Sequence, residues 1–460
     1  MAVTAAKRVC VSDIFDTGSI TPIQIRVFLL CLCIVFFDGF DLVVISVALP
    51  KISAFLHVGM AGLGLAVGAG QLGPLVGAMV IGTMADRFGR KRMLLISAII
   101  FGVFTIMIAT ITSVEQLALY RFLSGVGLGG AIPNALAFGC EYAPSKKRAT
   151  FTTIMWTGMP LGSVISGLVA AWLLPLYGWQ ILFRVGGIAP LLITLAVAPF
   201  LPESLEFLVR QGTDKSGISK LVSKISPKLA GPDIELYVND TKHEGVPVKH
   251  LFTEGRALTT AAIWALFFLS FYLLWVLIAW TPTLLKKSGA SVQQYSVAFA
   301  MLHVGSFFTA LIIGRLMDRF NLYKVLVVTF LLAFVSVCAF GYLAASPFIV
   351  IAVMAVVTGL FVNGGNTGLL ALCTTSYPTS IRGSGVGWAY GIGKVGSMLG
   401  PIVGGFLLAR NWSVFRICVT NGMAALIIIA IILMLKSHAE AVARHTGVPE
   451  PELVTAGSAH

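Results

Sequence analysis

The segment GTMADRFGRKR at residues 82–92 separates two long apolar runs and carries four basic residues within six positions. A related segment, GRLMDRF, follows at residues 314–320. Other elements repeat at nearly the same separation of about 232–235 positions, for example Tyr142 with Tyr377. One offset shared by several elements indicates that the chain consists of two related halves.

The composition is that of a membrane protein. Of the 460 residues, 57% are hydrophobic and 11% are charged, whereas soluble domains carry roughly 25% charged residues. The apolar residues form blocks of about 20, the length that a helix needs to cross a bilayer. Barrel strands would show shorter runs of alternating polarity. We therefore predict an all-α membrane protein with twelve transmembrane helices in two pseudo-symmetric six-helix bundles.

The apolar blocks predict twelve spans, numbered 1 to 12 along the chain. In an N-terminal bundle at 27–201 they cover residues 27–49, 61–84, 93–112, 116–140, 150–174 and 183–201. In a C-terminal bundle at 257–435 they cover residues 257–280, 292–313, 324–344, 348–370, 383–409 and 414–435. The remaining polar parts are an N-terminal segment at 1–26, a central loop at 202–256 and a tail at 436–460.

The basic residues predict the orientation. The N-terminal segment, the loops after even-numbered spans, the central loop and the tail hold about 24 of the 32 Lys and Arg residues, and the other loops hold about four. Under the positive-inside rule, both termini are expected to be cytoplasmic in a multi-pass protein of the cell inner (plasma) membrane. The net charge of +13 is spread over loops instead of forming one soluble basic face, which argues against nucleic-acid binding.

Two acidic residues interrupt span 1. Asp38 and Asp41 are three positions apart, so they share one face of a helix. Ionisable residues are costly inside a bilayer and are functional candidates for that reason. Two carboxylates this close repel each other, so one of them is suited to take up and release a proton. We predict that both serve proton coupling and substrate binding; the alternative is a structural pair bonded to span 4.

Span 4 carries a candidate partner for these acids. Arg121 precedes a glycine-rich run at residues 125–130, and glycines of this kind favour close packing against span 1. Arg121 is predicted to pair with Asp38 or Asp41, to respond to their protonation and to contact substrate. Glu141, at the end of the same span, is a candidate for proton coupling or for an interfacial salt bridge.

Polar and aromatic residues of the second half complete the candidate site. Lys394 is a cation at depth in span 11, and His303 of span 8 is either a substrate contact and proton relay or a core residue. The remaining candidates for substrate binding are two amides of span 10 and two rings of span 11: Asn363, Asn366, Trp388 and Tyr390. Trp275 is assigned to the aromatic belt at the membrane interface. No paired CxxC motif is present, so we expect no metal and no cofactor, with protons as the coupling ion.

The segment at 82–92 resembles the signature loop of the major facilitator superfamily, and the segment at 314–320 resembles a weaker second copy of it. Gly82 would let helices approach closely, and Asp86 would meet a helix N-terminus or a basic partner. The resemblance implies that these segments act as gates. The residues assigned to gating are Gly82, Asp86, Arg87, Arg90, Asp318, Arg319 and Arg382.

The first span carries a more specific resemblance, to one family within this superfamily. The sequence FDGFDL at residues 37–42 resembles the Asp-Gly-aromatic-Asp signature of the aromatic acid:proton symporter family. The sequences LPES at 201–204 and IRGSGVGW at 381–388 resemble that family's exit from span 6 and its start of span 11. Lys394 stands where relatives commonly have arginine, and a lysine is a point charge without the arginine fork. The mode of carboxylate recognition is therefore open.

The resemblance implies a proton-coupled secondary active transporter, and not an enzyme, that imports small carboxylate anions such as benzoate or hydroxybenzoates across the lipid bilayer. It also implies alternating access by rocking of the two halves about a midplane site. We expect the protein to function as a monomer. Three alternatives remain: a carrier of non-aromatic, muconate-like acids, an efflux antiporter suggested by GMPLG at 158–162, and a transporter-like receptor.

Overall fold

The architecture is that of an all-α membrane protein. The computed structural model describes residues 7–16, 20–212, 215–225, 234–238, 248–253 and 256–446. Within these residues, twelve helices are long and apolar enough to cross a membrane. Six of them lie in each half of the chain, so the predicted fold class is confirmed.

The helices extend beyond most of the predicted spans at one end or both. Spans 1 to 6 are Pro22–Leu56, the two segments Met60–Gly70 and Leu72–Phe88, then Arg90–Ile108, Val114–Glu141, Arg148–Tyr177 and Gln180–Val197. Spans 7 to 12 are Ala257–Lys287, Val292–Arg319, Leu322–Tyr342, Phe348–Ser376, Thr379–Ala409 and Val414–Thr446. Hydropathy underestimates the length of most of these helices, because polar residues continue the helical hydrogen bonding outside the apolar part of the bilayer.

The polar segments carry structure that their composition did not predict. Strand β1 (Lys7–Cys10) pairs in parallel with strand β2 (Ile234–Tyr237) of the central loop. Short helices accompany them: Val11–Asp16, Leu205–Gln211, Lys215–Ile225 and the 3-10 turns Ser145–Lys147, Ala198–Phe200 and Val248–Leu251. Buried apolar residues of β1 and of the helices Val11–Asp16, Leu205–Gln211 and Lys215–Ile225 pack against the first bundle at the end that carries the loop at 87–92. We call this the basic end of the molecule.

Glycines bring spans 1 and 5 into direct backbone contact. A Cβ atom at Gly39, between the two aspartates, would overlap the carbonyl oxygen of Met159 in span 5. Conversely, a Cβ atom at Gly162 would overlap the carbonyl oxygen of Phe36. The glycine inside the acidic motif is thus explained by packing, because only a residue without a side chain permits this crossing.

The two halves contact each other at the end opposite the basic end. A Cβ atom at Gly64 of span 2 would lie 2.7 Å from the carbonyl oxygen of Pro401 in span 11. A Cβ atom at Gly167 of span 5 would lie 2.7 Å from the Cβ atom of Ala300 in span 8. The Lys286 ammonium of span 7 also donates to the carbonyl oxygen of Pro50 in span 1, at 3.3 Å.

Toward the basic end the same faces separate. Met398 of span 11 lies against Gly68 of span 2, and Gly391 shares its face because it lies about two turns earlier. A Cβ atom at Gly391, or at Gly82 on span 2, would meet no atom within 4 Å. The close approach predicted at Gly82 is therefore not made in this state, which is closed at one end and open at the basic end.

The span 1–5 crossing predicts a stability difference between two Gly→Ala variants. Gly39→Ala forces the backbones apart, and overpacking of this kind costs about 1–3 kcal/mol, so we expect a lower melting temperature in detergent. Gly383→Ala adds the same methyl group where no atom lies within 4 Å, so its melting temperature should equal or exceed that of the wild type. Equal melting temperatures for the two variants would contradict the packing described here.

Candidate functional site

Span 5 holds the acidic segment of span 1 in position through its serines as well as its glycines. The Ser163 hydroxyl donates to the carbonyl oxygen of Gly39 at 2.9 Å. The Ser166 hydroxyl donates to the carbonyl oxygen of Phe40, also at 2.9 Å. These bonds fix the turn that separates Asp38 from Asp41. Sequence reasoning missed both serines, although their i, i+3 spacing beside Gly162 is a visible signal.

Asp41 forms a buried ion pair with Arg121. The guanidinium donates to Oδ2 of Asp41 at 2.7 Å, and both side chains are buried. The other carboxylate oxygen of Asp41 and the Nε atom of Arg121 have no hydrogen-bond partner among the described residues. Gly70 of span 2 lies against this pair, because a Cβ atom there would be 3.1 Å from the Cβ atom of Arg121. Of the two acids considered for Arg121, the structure pairs it with Asp41.

Asp38 faces the other half of the molecule. It attracts Lys394 of span 11 through space, and both residues line one cavity. The Lys394 ammonium lies 6.0 Å from the centre of the Trp275 ring, a distance at which a cation and an aromatic face attract each other. The structure therefore brings together four of the predicted residues, three from the first half and one from the second.

The cavity between these charges has a volume of about 100 Å³. A single water molecule needs roughly 10–15 Å³ of such space, so the cavity admits a small organic molecule. Its walls come from spans 1, 2, 4, 5, 7 and 11 and are mostly apolar, with Leu42, Val67 and Ile278 among them. Apolar walls with a few polar groups are typical of small-molecule sites.

Trp275 and Gln71 are among the cavity residues that were not predicted. Trp275, assigned to the interfacial belt, lines the cavity together with Ile278 and Ala279. Their i, i+3, i+4 spacing places them on one helix face and is the signal that could have identified Trp275. Gln71 lines the cavity at the interruption of span 2, and Pro74, three residues later, was its visible sign.

The other predicted substrate contacts do not line this cavity. The Asn363 amide donates to the Ser306 hydroxyl at 2.7 Å, and the Asn366 amide donates to the Val362 carbonyl oxygen at 3.1 Å. His303 is buried edge-on to the ring of Phe299 at 5.1 Å.

The two span 11 rings lie nearer the basic end than Lys394 and pack within the second half. Trp388 stacks on Trp264 at 5.9 Å, and Tyr390 contacts the rings of Phe267 and Phe271 at 5.4 and 5.6 Å. Both rings are partly exposed. Their predicted role in substrate binding would therefore require a contact outside the cavity described here.

Glu141 belongs to a second cluster at the basic end. Its Oε1 atom lies 2.8 Å from the guanidinium of Arg90, at the start of span 3. Its Oε2 atom accepts a hydrogen bond from the Ser204 hydroxyl at 2.6 Å. The cluster thus ties the ends of spans 3 and 4 to the exit from span 6, all within the first half.

Glu203 extends this cluster. Its carboxylate accepts the backbone N–H of Lys91 at 2.8 Å, where the positive end of the span 3 helix dipole stabilises an anion. The Tyr142 hydroxyl donates to the Glu203 carbonyl oxygen at 2.8 Å. Burial raises the pKa of Tyr142 well above its ordinary value, so this hydroxyl stays protonated.

The remaining residues assigned to gating lie at or near the basic end. Arg87 is exposed, with its guanidinium 5.5 Å from the Phe88 ring. The Nε atom of Arg382 donates to the Tyr377 carbonyl oxygen at 3.4 Å, and Arg319 is exposed at the end of span 8. Asp86 and Asp318 fall within helices, but their side chains lie outside the described part of the structure.

The buried ion pair predicts non-additive stability effects. Asp41→Asn leaves Arg121 as an uncompensated buried cation, and removing one partner of such a pair costs about 3–5 kcal/mol. Arg121→Met should cost less, because Asp41 can then be neutralised by a proton. The double variant should melt above Asp41→Asn in a detergent unfolding assay, since no unpaired charge remains. Additive losses in this double-mutant cycle would show that the two side chains are not coupled.

Comparison with solved structures agrees with the fold. The E. coli xylose transporter, solved in a partially occluded inward open conformation, superposes with a TM-score of 0.67 at 16% identity, covering 90% of this chain and 99% of that one. A bacterial homologue of the human lysosomal transporter Spinster superposes with a TM-score of 0.72 at 17% identity, covering 91% and 98%.

Sequence comparison identifies the family. The profile of the Major Facilitator Superfamily matches residues 31–289 and 263–456. The 4-hydroxybenzoate transporters of Pseudomonas putida and Acinetobacter baylyi are each 34% identical, the first over 95% of this chain and 98% of its own length, the second over 87% and 88%. The gallate transporter of Pseudomonas putida is 32% identical over 87% of this chain and 89% of its own length. The chain belongs to the major facilitator superfamily and, within it, to the family of aromatic acid transporters.

Proposed function

We propose that this protein is a symporter that imports small aromatic carboxylate anions together with protons. The observation that carries the proposal is the cavity between the halves, in which Lys394 of the second half lies opposite Asp38 of the first. Alternating access requires a site of this kind between two repeats. Relatives named for 4-hydroxybenzoate, gallate and benzoate support an aromatic acid as the substrate.

Lys394 is the group best suited to receive the substrate carboxylate. Arg121 is already bonded to Asp41, whereas Lys394 has, among the described residues, only the longer-range attraction of Asp38 and the Trp275 ring. A buried carboxylate is costly unless it is paired, so an acid in this cavity would turn its charged end toward Lys394. Its ring would then lie among the apolar walls.

Proton coupling follows from competition for Lys394. The ionised carboxylates of Asp38 and of the substrate attract the same ammonium and repel each other. Binding of the acid therefore favours the protonated form of Asp38, and release of that proton favours release of the acid. One proton carried with one monovalent acid is electroneutral, so the pH gradient drives accumulation, at about 1.4 kcal/mol per pH unit.

Transport would proceed by rocking of the two halves. The state described here is closed where Gly64 meets Pro401 and open at the basic end. Reversal would close the basic end and bring the face with Gly82 toward span 11. The basic loops and the Arg90–Glu141 pair would hold the first half rigid during this movement.

The basic end is assigned to the cytoplasm. The positive-inside rule places loops rich in Lys and Arg on that side, which makes both termini cytoplasmic in the inner (plasma) membrane. The open cavity would then face the cell interior. We further propose that the protein acts as a monomer and uses protons as its only coupling ion, with no other cofactor.

Uptake into proteoliposomes tests the function. Purified protein is reconstituted, an inside-alkaline pH gradient is imposed, and entry of radiolabelled benzoate, 4-hydroxybenzoate and muconate is followed. We expect aromatic acids to accumulate above their external concentration and a protonophore to abolish the accumulation. Lys287→Gln, at the end of span 7 opposite the basic end, serves as the control variant and should transport normally.

Each contrary result favours a different function. Accumulation of muconate without aromatic acids would indicate a carrier of non-aromatic acids. Proton-driven exit of acid from loaded vesicles, with no net uptake, would indicate an antiporter. Saturable binding without flux would indicate a receptor.

Asp38→Asn is predicted to uncouple transport from protons. In the wild type, affinity for the acid should fall as pH rises, because ionised Asp38 then competes for Lys394. In the variant this pH dependence should disappear, and the pH gradient should no longer drive accumulation. Exchange of labelled for unlabelled acid should continue, because Lys394 is retained.

The measurements are equilibrium binding at several pH values and counterflow in proteoliposomes. Glu115→Gln, which changes an exposed acid at the start of span 4, is the matched control. If Asp38→Asn still concentrates acid against its gradient, Asp38 is not the coupling residue.

A further inference from the structure

Span 2 is interrupted at Gln71, beside the central cavity. The helix Met60–Gly70 ends there, and Leu72–Phe88 follows. Pro74 explains the interruption, because proline has no N–H to bond the carbonyl of residue 70 and its ring crowds that carbonyl. At the interruption, the backbone N–H of Gln71 donates to the carbonyl oxygen of Gly68 at 3.0 Å, three residues earlier. Irregular backbone at membrane depth is tolerated where it lines a cavity, which is where Gln71 lies.

The side chain of Gln71 has unused hydrogen-bonding capacity. It is only 5% exposed, and it makes no side-chain hydrogen bond with any residue in the described ranges. A primary amide offers two donors and one acceptor, and burying it without partners is unfavourable. Ser46, which lines the same cavity, differs in this respect because its hydroxyl donates to the Leu42 carbonyl oxygen at 3.2 Å. The partner for Gln71 must therefore come from the contents of the cavity.

Gln71 and Lys394 line the same cavity from different halves of the molecule. Gln71 adjoins Gly70, which lies against Arg121 in the first half. Lys394 belongs to the second half and lies beside Trp275. An acid held by its carboxylate at Lys394 would place its ring inside the cavity that Gln71 also lines.

We propose that Gln71 is a specificity-determining residue that hydrogen-bonds a polar ring substituent, such as a hydroxyl, of the transported acid. The inference rests on the proposed function, which puts the carboxylate at Lys394. A hydroxyl both donates and accepts, as the amide does, so the two groups are complementary. The free Oδ1 atom of Asp41 is a less suitable partner, because it is fully buried.

Competition binding on the purified full-length protein tests this role. The probes are benzoate, 3-hydroxybenzoate and 4-hydroxybenzoate, each measured against one labelled acid. Gln71→Met keeps the length of the side chain and removes its hydrogen-bonding groups. We expect the variant to lose roughly 3- to 10-fold in affinity for the better-bound hydroxybenzoate, the size of one neutral hydrogen bond, with benzoate affinity unchanged.

The ratio of the affinity for the hydroxybenzoate to the affinity for benzoate does not depend on how much of the variant protein is folded. Leu72→Met alters the adjacent exposed position, which does not line the cavity, and should leave the ratio unchanged. Provided that the wild type binds these acids, an equal loss of affinity for benzoate and for the hydroxybenzoate would overturn the role of Gln71. So would no loss of affinity for either acid. If the wild type binds none of the three acids, the proposed function itself fails and this inference fails with it.

Discussion

The buried ion pair between Asp41 and Arg121 is the constraint on which the arrangement of the site depends. A charge in this position is tolerated only because its partner lies 2.7 Å away. The pair links span 1 to span 4, and the interrupted part of span 2 packs against it at Gly70. With Asp41 engaged in this way, Asp38 is the one of the two span 1 acids that can respond to the second half.

The two halves contribute different parts of the site. The first half holds the two acids in place through span 5. Serines of span 5 donate hydrogen bonds to the carbonyl oxygens of Gly39 and Phe40, and its Gly162 packs directly against the backbone of Phe36. The second half contributes Lys394 and Trp275. A ligand that bridges the two would couple its own binding to their relative position, and this coupling is the physical basis of alternating access.

A second polar cluster stabilises the first half at its basic end. Glu141, Arg90 and Ser204 join the ends of three spans, and Tyr142 joins them to Glu203. Within the described ranges, both carboxylates bond to groups of the first half. The first bundle would therefore move as one body in the rocking movement that we propose.

The sequence by itself determined the class of the protein, its two six-span halves and four charged residues of the cavity, because hydropathy, repeat spacing and charges inside apolar runs are local properties of the chain. Only the tertiary structure decided that Arg121 bonds Asp41 and leaves Asp38 to face Lys394. Only the fold, likewise, put Trp275 and not Trp388 beside that lysine. Such choices depend on the direction of each side chain and on contacts between segments far apart in sequence, which no local pattern specifies.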